Sequence, residues 1–280
     1  MRQIHVDEII TKVEQLSIDA CCNLGTDVED RLKDACSSEQ SDLARDILKQ
    51  LIENAQIARK EGIPLCQDTG MGVVFVEIGQ DVHITGGYLY DAINEGIRRG
   101  YKKGYMRNSV VKSPINRQNT GDNTPAVIHT EIVPGHKLTI TFAPKGFGSE
   151  NMSALKMLTP AQGLSGIKKF VVDTVKKAGA NPCPPIVVGV GIGGTMEKAA
   201  LLSKKSLIRP LGKPNDDPNI SQLERELLEA INQLGIGPQG LGGRTTALAV
   251  HIEVYPTHIA GLPVAVNMQC HACRHKKVTL

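Results

Sequence analysis

The chain has 280 residues, a formal net charge of +3 at pH 7, and 3% aromatic residues with no tryptophan. So small a positive charge, without aromatic side chains on which bases could stack, argues against nucleic-acid binding. No apolar run approaches the ~20 residues of a transmembrane helix, and the N-terminal segment lacks the apolar core of a signal peptide. We therefore expect a cytoplasmic protein, not bound to a membrane, whose seven scattered cysteines stay reduced and available for metal or redox chemistry.

The first part of the chain, residues 4–61, carries apolar residues at helical spacing and is predicted to be mainly helical. Two Thr/Ser–Glu/Gln pairs have the spacing of a capping box, and they predict helix starts at Thr26 and Ser37. The last of these helices is predicted to end at Gly62 because a proline follows just beyond it.

The rest of the chain alternates between apolar strands and helices. Alternating apolar residues on either side of Pro134-Gly135 predict a β-hairpin. The other predicted elements are a strand at 73–78, helices at 88–99 and 159–178, a buried strand from 186 with a helix after its glycine turn, a helix at 220–234, and strands at 246–255 and 262–266. This order indicates an α/β fold of the α+β type, with mixed sheets flanked by helices. We expect one domain over residues 1–280, with 1–61 as its helical N-terminal part.

A short polar loop, PLCQDTGMG at residues 64–72, follows the predicted helix end and precedes a strand. It places the thiol of Cys66, the amide of Gln67 and the carboxylate of Asp68 side by side. Loops carried by rigid elements often hold catalytic groups. Because a thiolate next to a carboxylate suits metal-assisted proton transfer, this loop is the first candidate for an active site.

A glycine pattern, G-x-G-x-x-G, occurs at Gly189, Gly191 and Gly194 and is typical of dinucleotide-binding folds. In such folds an acidic residue lies about twenty residues further on, where it is expected to end a second strand. Here Asp216 and Asp217 lie in a proline-rich loop with no strand before them. The pattern therefore favours a close strand-to-helix turn over dinucleotide binding.

The C-terminal segment QCHACRH contains Cys270, His271, Cys273 and His275, a C-x-x-C spacing with nearby histidines that suits zinc. No second ligand pair lies at zinc-finger distance, and the adjacent Cys270 and His271 would crowd a tetrahedral ion. A closed structural zinc site is the alternative interpretation of this segment.

Three cysteines share a different property, since Cys66, Cys183 and Cys270 each adjoin a strand and lie among proline, glycine or polar residues. Three thiolates from three loops could hold an iron–sulfur cluster. Because most clusters take four cysteines, three would leave one iron without a protein ligand, and such an iron can act as a Lewis acid. Spacing alone does not separate this interpretation from three cysteines of the core.

Several separate motifs together resemble one family. PLCQDTG, the RNS at 107–109, NTGDNTPA, PKGFGSENMSALKML, NPCPPIVVGVGIGGT, GIGPQGLGG and GLPVAVNMQCHA occur in the order found in the α-subunits of class I, iron–sulfur fumarate hydratases. The resemblance covers nearly the whole chain after residue 40. L-Tartrate dehydratase α-subunits share CQDTG, CPP and GIGPQG, whereas GFGSENMS and QCHA resemble the fumarate hydratase version.

The resemblance implies a [4Fe-4S] cluster held by Cys66, Cys183 and Cys270, with one iron that no protein residue ligates and that binds the substrate. It also implies that Asp68 takes part in proton transfer. The residues that the resemblance places in contact with substrate are Gln67, Asp68, Arg107, Gly148 and His258.

A partner chain is implied as well. In the resembled family a threonine of a β-region completes the proton transfer, and the Lys-Gly-x-Thr motif of that region does not occur in this sequence. We therefore expect a separate β-subunit, in a heterodimer or heterotetramer, and reversible hydration of fumarate to L-malate. An L-tartrate or mesaconate-type dehydratase is the alternative.

Overall fold

The structure of the protein is a computed structural model that describes residues 2–280. The chain packs into two compact units, each with its own hydrophobic core. The first unit comprises residues 2–25, Asn54–Phe147 and Arg274–Leu280, and the second comprises Thr26–Glu53 and Gly148–Cys273. The single domain expected from the sequence stays a prediction. Among the described residues, no helix combines the length and the apolar character that crossing a membrane requires.

The N-terminal part of the chain is mainly helical, as predicted. A short strand, β1 (Arg2–His5), precedes three helices, α1 (Val6–Cys22), α2 (Thr26–Ser38) and α3 (Asp42–Glu61). The helix start at Thr26 and the helix end at Gly62 are confirmed. The helix start predicted at Ser37 is wrong. Its hydroxyl donates to the carbonyl of Asp34 within the last turn of α2, so Ser37 closes one helix instead of capping the next.

The first unit contains a mixed four-stranded sheet in the order β10 (Lys276–Thr279), β5 (Leu138–Lys145), β2 (Met71–Gly79) and β4 (Val127–Val133). The predicted hairpin around Pro134-Gly135 is wrong, because β2 lies between β4 and β5. It runs parallel to β4 and antiparallel to β5. The strand β2 carries a run of buried residues from 72 to 76, and such a continuous run is typical of a strand that is covered on both faces.

Two further elements belong to this unit. The strand β3 (Val82–Thr85) pairs in parallel with β1, and the helix α4 (Leu89–Lys103) packs against α1. Glycines of α4 allow the two helices to approach closely, since a Cβ atom on Gly96 would lie 2.8 Å from the carbonyl oxygen of Ile10. The same helix carries Tyr101 to the interior of the unit, where its side chain is 1% exposed.

The second unit contains a four-stranded sheet in the order β6 (Ala154–Leu158), β9 (Leu262–Gln269), β7 (Ile186–Gly193) and β8 (Ala247–Tyr255). The strand β9 runs antiparallel to both of its neighbours, whereas β7 and β8 are parallel. The helices of this part of the chain are α5 (Phe147–Glu150), α6 (Gly163–Ala178), α7 (Met196–Ser206) and α8 (Pro218–Asn232). Helices flanking mixed sheets confirm the α/β class.

Two glycines of the G-x-G-x-x-G pattern lie inside β7 and allow α7 to pack against it. A Cβ atom on Gly189 would lie 2.1 Å from the carbonyl oxygen of Ser203, and one on Gly191 would lie 2.0 Å from that of Ala199. Glycine alone fits at both positions, because any side chain would collide with the helix backbone. The pattern therefore serves strand–helix packing, in agreement with the interpretation that the sequence favours.

Candidate functional site

The carboxylate of Asp68 is held by three donors of the first unit. Its Oδ1 accepts a hydrogen bond of 3.1 Å from the Gly70 amide and lies 3.4 Å from Nη2 of Arg107. Its Oδ2 accepts a hydrogen bond of 2.9 Å from the Phe147 amide. The side chain is still 25% exposed. The carboxylate is thus fixed in direction and accessible to a small ligand.

Two glycines make this arrangement sterically feasible. Gly70 has a φ of +78°, and a Cβ atom on it would lie 2.8 Å from the amide nitrogen of Lys145. A Cβ atom on Gly146 would lie 3.2 Å from Oδ2 of Asp68. Because a Cβ atom cannot approach backbone so closely, only glycine fits at position 70, whereas a side chain at position 146 would require the Asp68 carboxylate to shift by a few tenths of an ångström.

The main-chain carbonyls of the same loop face buried donors. The Tyr101 hydroxyl donates to the carbonyl of Thr69 at 2.7 Å and to that of Gly70 at 3.2 Å. Burial raises the pKa of Tyr101 well above 10, so at neutral pH the hydroxyl keeps its proton and remains a donor. Nη2 of Arg274, a residue that is 3% exposed, donates to the carbonyl of Asp68 at 2.9 Å. Buried side chains therefore hold the main chain of the loop in place.

Arg107 is tied to the loop by its own polar neighbours. The Thr69 hydroxyl donates to the Arg107 carbonyl at 3.1 Å, and Nε of Arg107 donates to the Ser109 hydroxyl at 3.2 Å. Asn123 accepts from the Ser109 amide at 2.7 Å and donates to the Gly70 carbonyl at 3.1 Å. The structure thus brings together Arg107 and Asp68, two of the residues that the sequence singled out.

Cys66 and Gln67 share the beginning of this loop. The Asp68 amide donates toward Sγ of Cys66 at 3.4 Å, and Sγ lies 3.2 Å from Oε1 of Gln67. The Cys66 side chain is partly exposed, and Gln67 is exposed. A main-chain donor directed at sulfur suits a metal-bound thiolate, because hydrogen bonds to ligand sulfurs tune the metal centre.

In the second unit, three loops converge around Cys183. This residue has a φ of +55° and is exposed. The main-chain N–H of His271 donates to the Cys183 carbonyl at 3.3 Å. Because Cys270 directly precedes His271, its segment lies next to the loop of Cys183. Gln239 donates to the Pro184 carbonyl from its main-chain N–H at 2.7 Å and from Nε2 at 2.8 Å. The segments that carry Cys183 and Cys270 are therefore neighbours.

Gly148 lies beside the same group of loops. A Cβ atom on it would lie 3.5 Å from the carbonyl oxygen of Asn181, two residues before Cys183, which is an ordinary contact. Packing alone does not require glycine at this position. Its exposed main chain is the feature that a ligand could use.

His258 lies at the opposite end of the sheet from Cys270. It belongs to the exposed turn between β8 and β9, whereas Cys270 follows the last residue of β9. The eight residues of β9 span about 26 Å, since a strand rises ~3.3 Å per residue. His258 and Cys270 are therefore separated by the length of one extended strand, and the role of His258 as a substrate contact stays a prediction.

The cysteines differ in exposure. No disulfide links them, and the buried ones are Cys21, Cys22 and Cys273. Burial raises the pKa of Cys21 to about 11, so this thiol keeps its proton at neutral pH. Cys183 is exposed, and Cys66 and Cys270 are partly exposed. Accessible thiols in loops are chemically suited to bind iron, so each of the three predicted ligands has the chemistry that an iron–sulfur cluster requires, and the cluster itself stays a prediction.

The alternative zinc site in the C-terminal segment is not supported by the side chains. Sγ of the buried Cys273 donates to the Leu207 carbonyl at 3.6 Å, and Nδ1 of His271 lies 3.2 Å from the Cys183 carbonyl. Within residues 2–280, no three His, Cys, Asp or Glu side chains are grouped as they would be around a single metal ion.

Sequence reasoning missed Tyr101, Arg274 and Gln239 as supports of the loops. Tyr101 lies in a charge run that is typical of a solvated surface, and Arg274 lies in the segment that suggested zinc. Tyr101 and Thr69 are 32 residues apart, and Arg274 and Asp68 are 206 residues apart. Contacts over such separations leave no local signal in a single sequence.

Comparisons with known proteins give the following matches. A family model described as Fumarate hydratase (Fumerase) matches residues 10–279. The "Putative L(+)-tartrate dehydratase subunit alpha" of Methanocaldococcus jannaschii is 44% identical over 268 residues, which cover 94% of each chain. The L(+)-tartrate dehydratase subunit alpha of Escherichia coli K12 and that of Shigella sonnei are each 34% identical over 257 residues, covering 91% of this chain and 84% of theirs.

Proposed function

Since the chain belongs to the fumarate hydratase (Fumerase) family, we propose that it is the α-subunit of an iron–sulfur hydro-lyase that hydrates fumarate reversibly to L-malate. The observation that carries this proposal is the placement of Asp68. Its carboxylate lies 3.4 Å from the Arg107 guanidinium, and its amide donates to the thiol of Cys66. A cation for a substrate carboxylate, an acid–base group and a metal ligand thus share one loop region.

The residues that would hold a [4Fe-4S] cluster are Cys66, Cys183 and Cys270. When bound, a cluster with three protein ligands supplies a Lewis-acidic iron that activates the hydroxyl group of the substrate. The protein contributes the donor of Asp68 to the Cys66 sulfur and the constrained backbone that exposes Cys183.

Asp68 is the residue of this chain that we propose to take part in the proton exchange at the carbon adjacent to the one that bears the leaving hydroxyl. A general acid–base group must be held in a fixed direction to act on one proton. The amides of Gly70 and Phe147 hold its two oxygens at 3.1 and 2.9 Å. Orientation by the main chain leaves the carboxylate in place when the substrate enters.

Arg107 is the proposed anchor for a substrate carboxylate. Its side chain is 54% exposed. Nε and Nη2 are engaged with Ser109 and Asp68, whereas Nη1 has no hydrogen-bond partner among residues 2–280. A guanidinium in such a position can bind a carboxylate with good geometry. Gln67 and the main chain of Gly148 are proposed as further contacts. His258, in the turn that precedes β9, remains a proposed contact as well.

The proposal includes a separate β-subunit that supplies the second proton-transfer group. The relatives from Methanocaldococcus jannaschii and Escherichia coli carry the words "subunit alpha" in their names. Asp68 is the acid–base group that this chain is proposed to contribute, and the β-subunit would contribute the second. We place the complex in the cytoplasm, where the accessible thiols stay reduced.

A second candidate function is the dehydration of L-tartrate. The observation that favours it is the name of the relatives, which are L(+)-tartrate dehydratase α-subunits at 34% identity and one chain of similar name at 44%. L-Malate and L-tartrate are both C4 dicarboxylates, and they differ by one hydroxyl group. The residues proposed here to bind the carboxylate and move the proton serve both reactions equally.

Iron analysis tests the cluster. We expect about four iron and four sulfide per chain after oxygen-free preparation, the content of this cluster type. Cys66→Ser should lower the iron content, and Cys36→Ser is the matched control because Cys36 is a partly exposed cysteine outside the proposed ligand set. Full iron content in Cys66→Ser would contradict the proposed ligand.

Turnover of the reconstituted complex tests the substrate. The chain is combined with a β-subunit from the neighbouring reading frame, and fumarate, L-malate and L-tartrate are compared as substrates. We expect turnover of fumarate and L-malate. A complex that turns over only L-tartrate would overturn the substrate assignment and leave the hydro-lyase assignment intact, whereas a complex with cluster and no turnover of any of the three would overturn both the fumarate and the L-tartrate assignments.

A further inference from the structure

A cavity of about 260 Å³ lies in the second unit, and its lining includes no residue of the loops that carry Cys183 and Cys270. It is open to solvent and is lined by residues of α2, α8, β8 and the segment 212–214. Its lining includes three basic side chains, Arg31, Lys213 and Arg225, and the buried His251. None of these residues has a part in the proposed hydration reaction.

The three basic side chains have almost no carboxylate partners. Arg225 donates only to neutral oxygens, those of Ser221 and Gln222, and Lys213 makes no side-chain hydrogen bond or ion pair within residues 2–280. Arg31 has one acidic neighbour, Asp34, at 3.9 Å. Exposed ion pairs of this length contribute little. The positive charge at the cavity is therefore available to a ligand.

The acidic residue of the lining, Glu224, offsets only part of this charge. Its carboxylate is paired with Arg209 and accepts hydrogen bonds from the amides of Asn215, at 3.2 Å, and Ile252, at 2.8 Å. Arg209 is shared with Glu253, which lies 3.2 Å from its Nη1, so the lining carries one partly neutralised carboxylate against three cations. The cavity is thus suited to an anion.

The imidazole of His251 adds a directional group to this charge. The residue is 3% exposed, and its Nδ1 lies 3.2 Å from the carbonyl of Ser206, to which it donates. Nε2 then lacks a proton in the neutral ring and has no hydrogen-bond partner among the described residues. Burial, with the charges of Arg209 and Arg31, lowers the pKa of His251 to about 4. At neutral pH Nε2 is therefore unprotonated and can accept a hydrogen bond from a ligand.

We propose that this cavity binds the phosphate group of a small phosphorylated molecule, with a P–OH proton shared with Nε2 of His251. The three cations recognise the charge, and the imidazole recognises the proton. A phosphate ester has its second pKa near ~6 and so still carries a proton for part of the time at neutral pH. Carboxylates and sulfate carry none there, and they satisfy only the cations.

The neighbouring cavity offers room for the rest of such a molecule. It has a volume of about 770 Å³ and shares Arg225 and Leu228 with the smaller one. Its lining adds Arg244, an exposed cation whose side chain makes no hydrogen bond or ion pair within residues 2–280, together with the carboxylate of Glu229 and the amides of Asn232 and Gln233. Small-molecule sites commonly occupy several hundred Å³, so the two cavities together have the dimensions of one.

Titration of the full-length chain with inorganic phosphate and with sulfate at pH 6.5, followed by calorimetry, tests the proposal. Both anions have the same shape, and only phosphate carries a proton. We expect phosphate to bind about fivefold more tightly than sulfate, the effect of one additional hydrogen bond. Equal or tighter binding of sulfate would overturn the role of His251.

Two variants separate the charge from the proton. His251→Asn retains a side-chain N–H for the Ser206 carbonyl and removes Nε2, so it should bring phosphate binding down to the level of sulfate and leave sulfate binding unchanged. Lys213→Gln with Arg225→Gln should weaken the binding of both anions by fivefold or more. Lys176→Gln, an exposed lysine of α6 outside both cavities, is the matched control. If the double variant behaves like Lys176→Gln, or if His251→Asn retains the preference for phosphate, the site is not as proposed.

Discussion

The guanidinium of Arg274 donates a hydrogen bond of 2.9 Å to the main-chain carbonyl of Asp68, 206 residues earlier in the chain. The arginine is 3% exposed, so the contact is shielded from water. Asp68 presents its carbonyl to this buried cation and its carboxylate to the accessible side of the loop. The main chain of Asp68 thus holds the loop in place while its side chain remains accessible, and Arg274 contacts only the main chain.

We expect Arg274→Met to lower the free energy of unfolding by about 1–3 kcal/mol, because the Asp68 carbonyl would lose its donor in a buried position. Arg274→Lys should recover part of the loss, since an ammonium group is also a donor but lacks the fork of the guanidinium. Urea unfolding measures both. Arg99→Met is the control, because Arg99 forms an exposed ion pair with Glu95. Equal stability of the Arg274 and Arg99 variants would show that the buried contact contributes nothing.

Asp68→Asn should retain the fold and the iron content while turnover of the reconstituted complex falls by about 10²–10⁴-fold, the range for loss of a general acid–base group. The amide oxygen can still accept from one of the two main-chain amides, so the loop is largely kept. Initial rates in both directions and iron analysis are the measurements. Asp91→Asn, at an exposed aspartate of α4, is the control. Turnover within twofold of the wild type would remove Asp68 from the mechanism.

Tyr101→Phe should lower the free energy of unfolding by about 1–3 kcal/mol, because the Thr69 carbonyl would lose its hydroxyl donor in the interior. The Gly70 carbonyl is less affected, since Asn123 also donates to it at 3.1 Å. Tyr105→Phe is a matched control, as Tyr105 is 94% exposed on the segment after α4. Thermal and urea unfolding of the two variants should therefore differ, and coinciding curves would rule out this support of the loop.

The stability of the protein should fall between pH 6.5 and pH 4 because of His251. Its pKa in the folded state is about 4, below the 6.5 of an exposed histidine, so the unfolded chain binds the proton more readily. The contribution is fully present above pH 6.5 and is lost as the pH falls, by roughly 3 kcal/mol at most. His251→Asn should show a weaker dependence over this window in urea unfolding at several pH values.

Asp122→Asn provides the control for that window. Burial alone would raise the pKa of Asp122, but hydrogen bonds from Arg98 and Thr124 outweigh it and lower the pKa to about 2. Its contribution to stability is present above its ordinary value of 3.8 and is lost only below it, as the pH approaches 2. The Asn variant should therefore retain the wild-type slope between pH 6.5 and pH 4. A slope unchanged in His251→Asn as well would show that His251 is not the titrating group.

The elements that could be predicted are those with a strong local pattern. The buried run of β7 and the amphipathic helix α8 are found where the sequence indicates them, because both are specified by residues within their own spans. Which strands pair with each other is not specified by such local patterns. The alternating strands β4 and β5 indicated a hairpin, yet β2 occupies the place between them, a pairing decided by burial over the whole sheet. The short strand β10, sequence KKVT, has no pattern that distinguishes it from a polar tail.

The candidate site shows the same division. Cys66, Gln67 and Asp68 are adjacent in the chain, so their grouping could be read directly from the sequence, and Arg107 joins them through hydrogen bonds of its own loop. His258 and Cys270 are only twelve residues apart, yet they lie at opposite ends of β9, so closeness along the chain does not imply closeness in space when a strand intervenes. Tyr101 and Arg274 support the site through main-chain carbonyls, which every residue has, so their partners carried no recognisable side-chain signature.

The strand β10 has a consequence for how the protein is made. It pairs with β5 in the first unit, and the main chains of Leu138 and Leu280 exchange two hydrogen bonds beside it. Ribosomal synthesis delivers residues 276–280 after all of the second unit. Until β10 has been synthesised, some 130 residues after β5, the edge of β5 that pairs with β10 remains exposed. An exposed strand edge can pair with another chain and lead to aggregation. Chains that are released before residues 276–280 are made, or that are elongated slowly, should therefore aggregate more readily than complete chains.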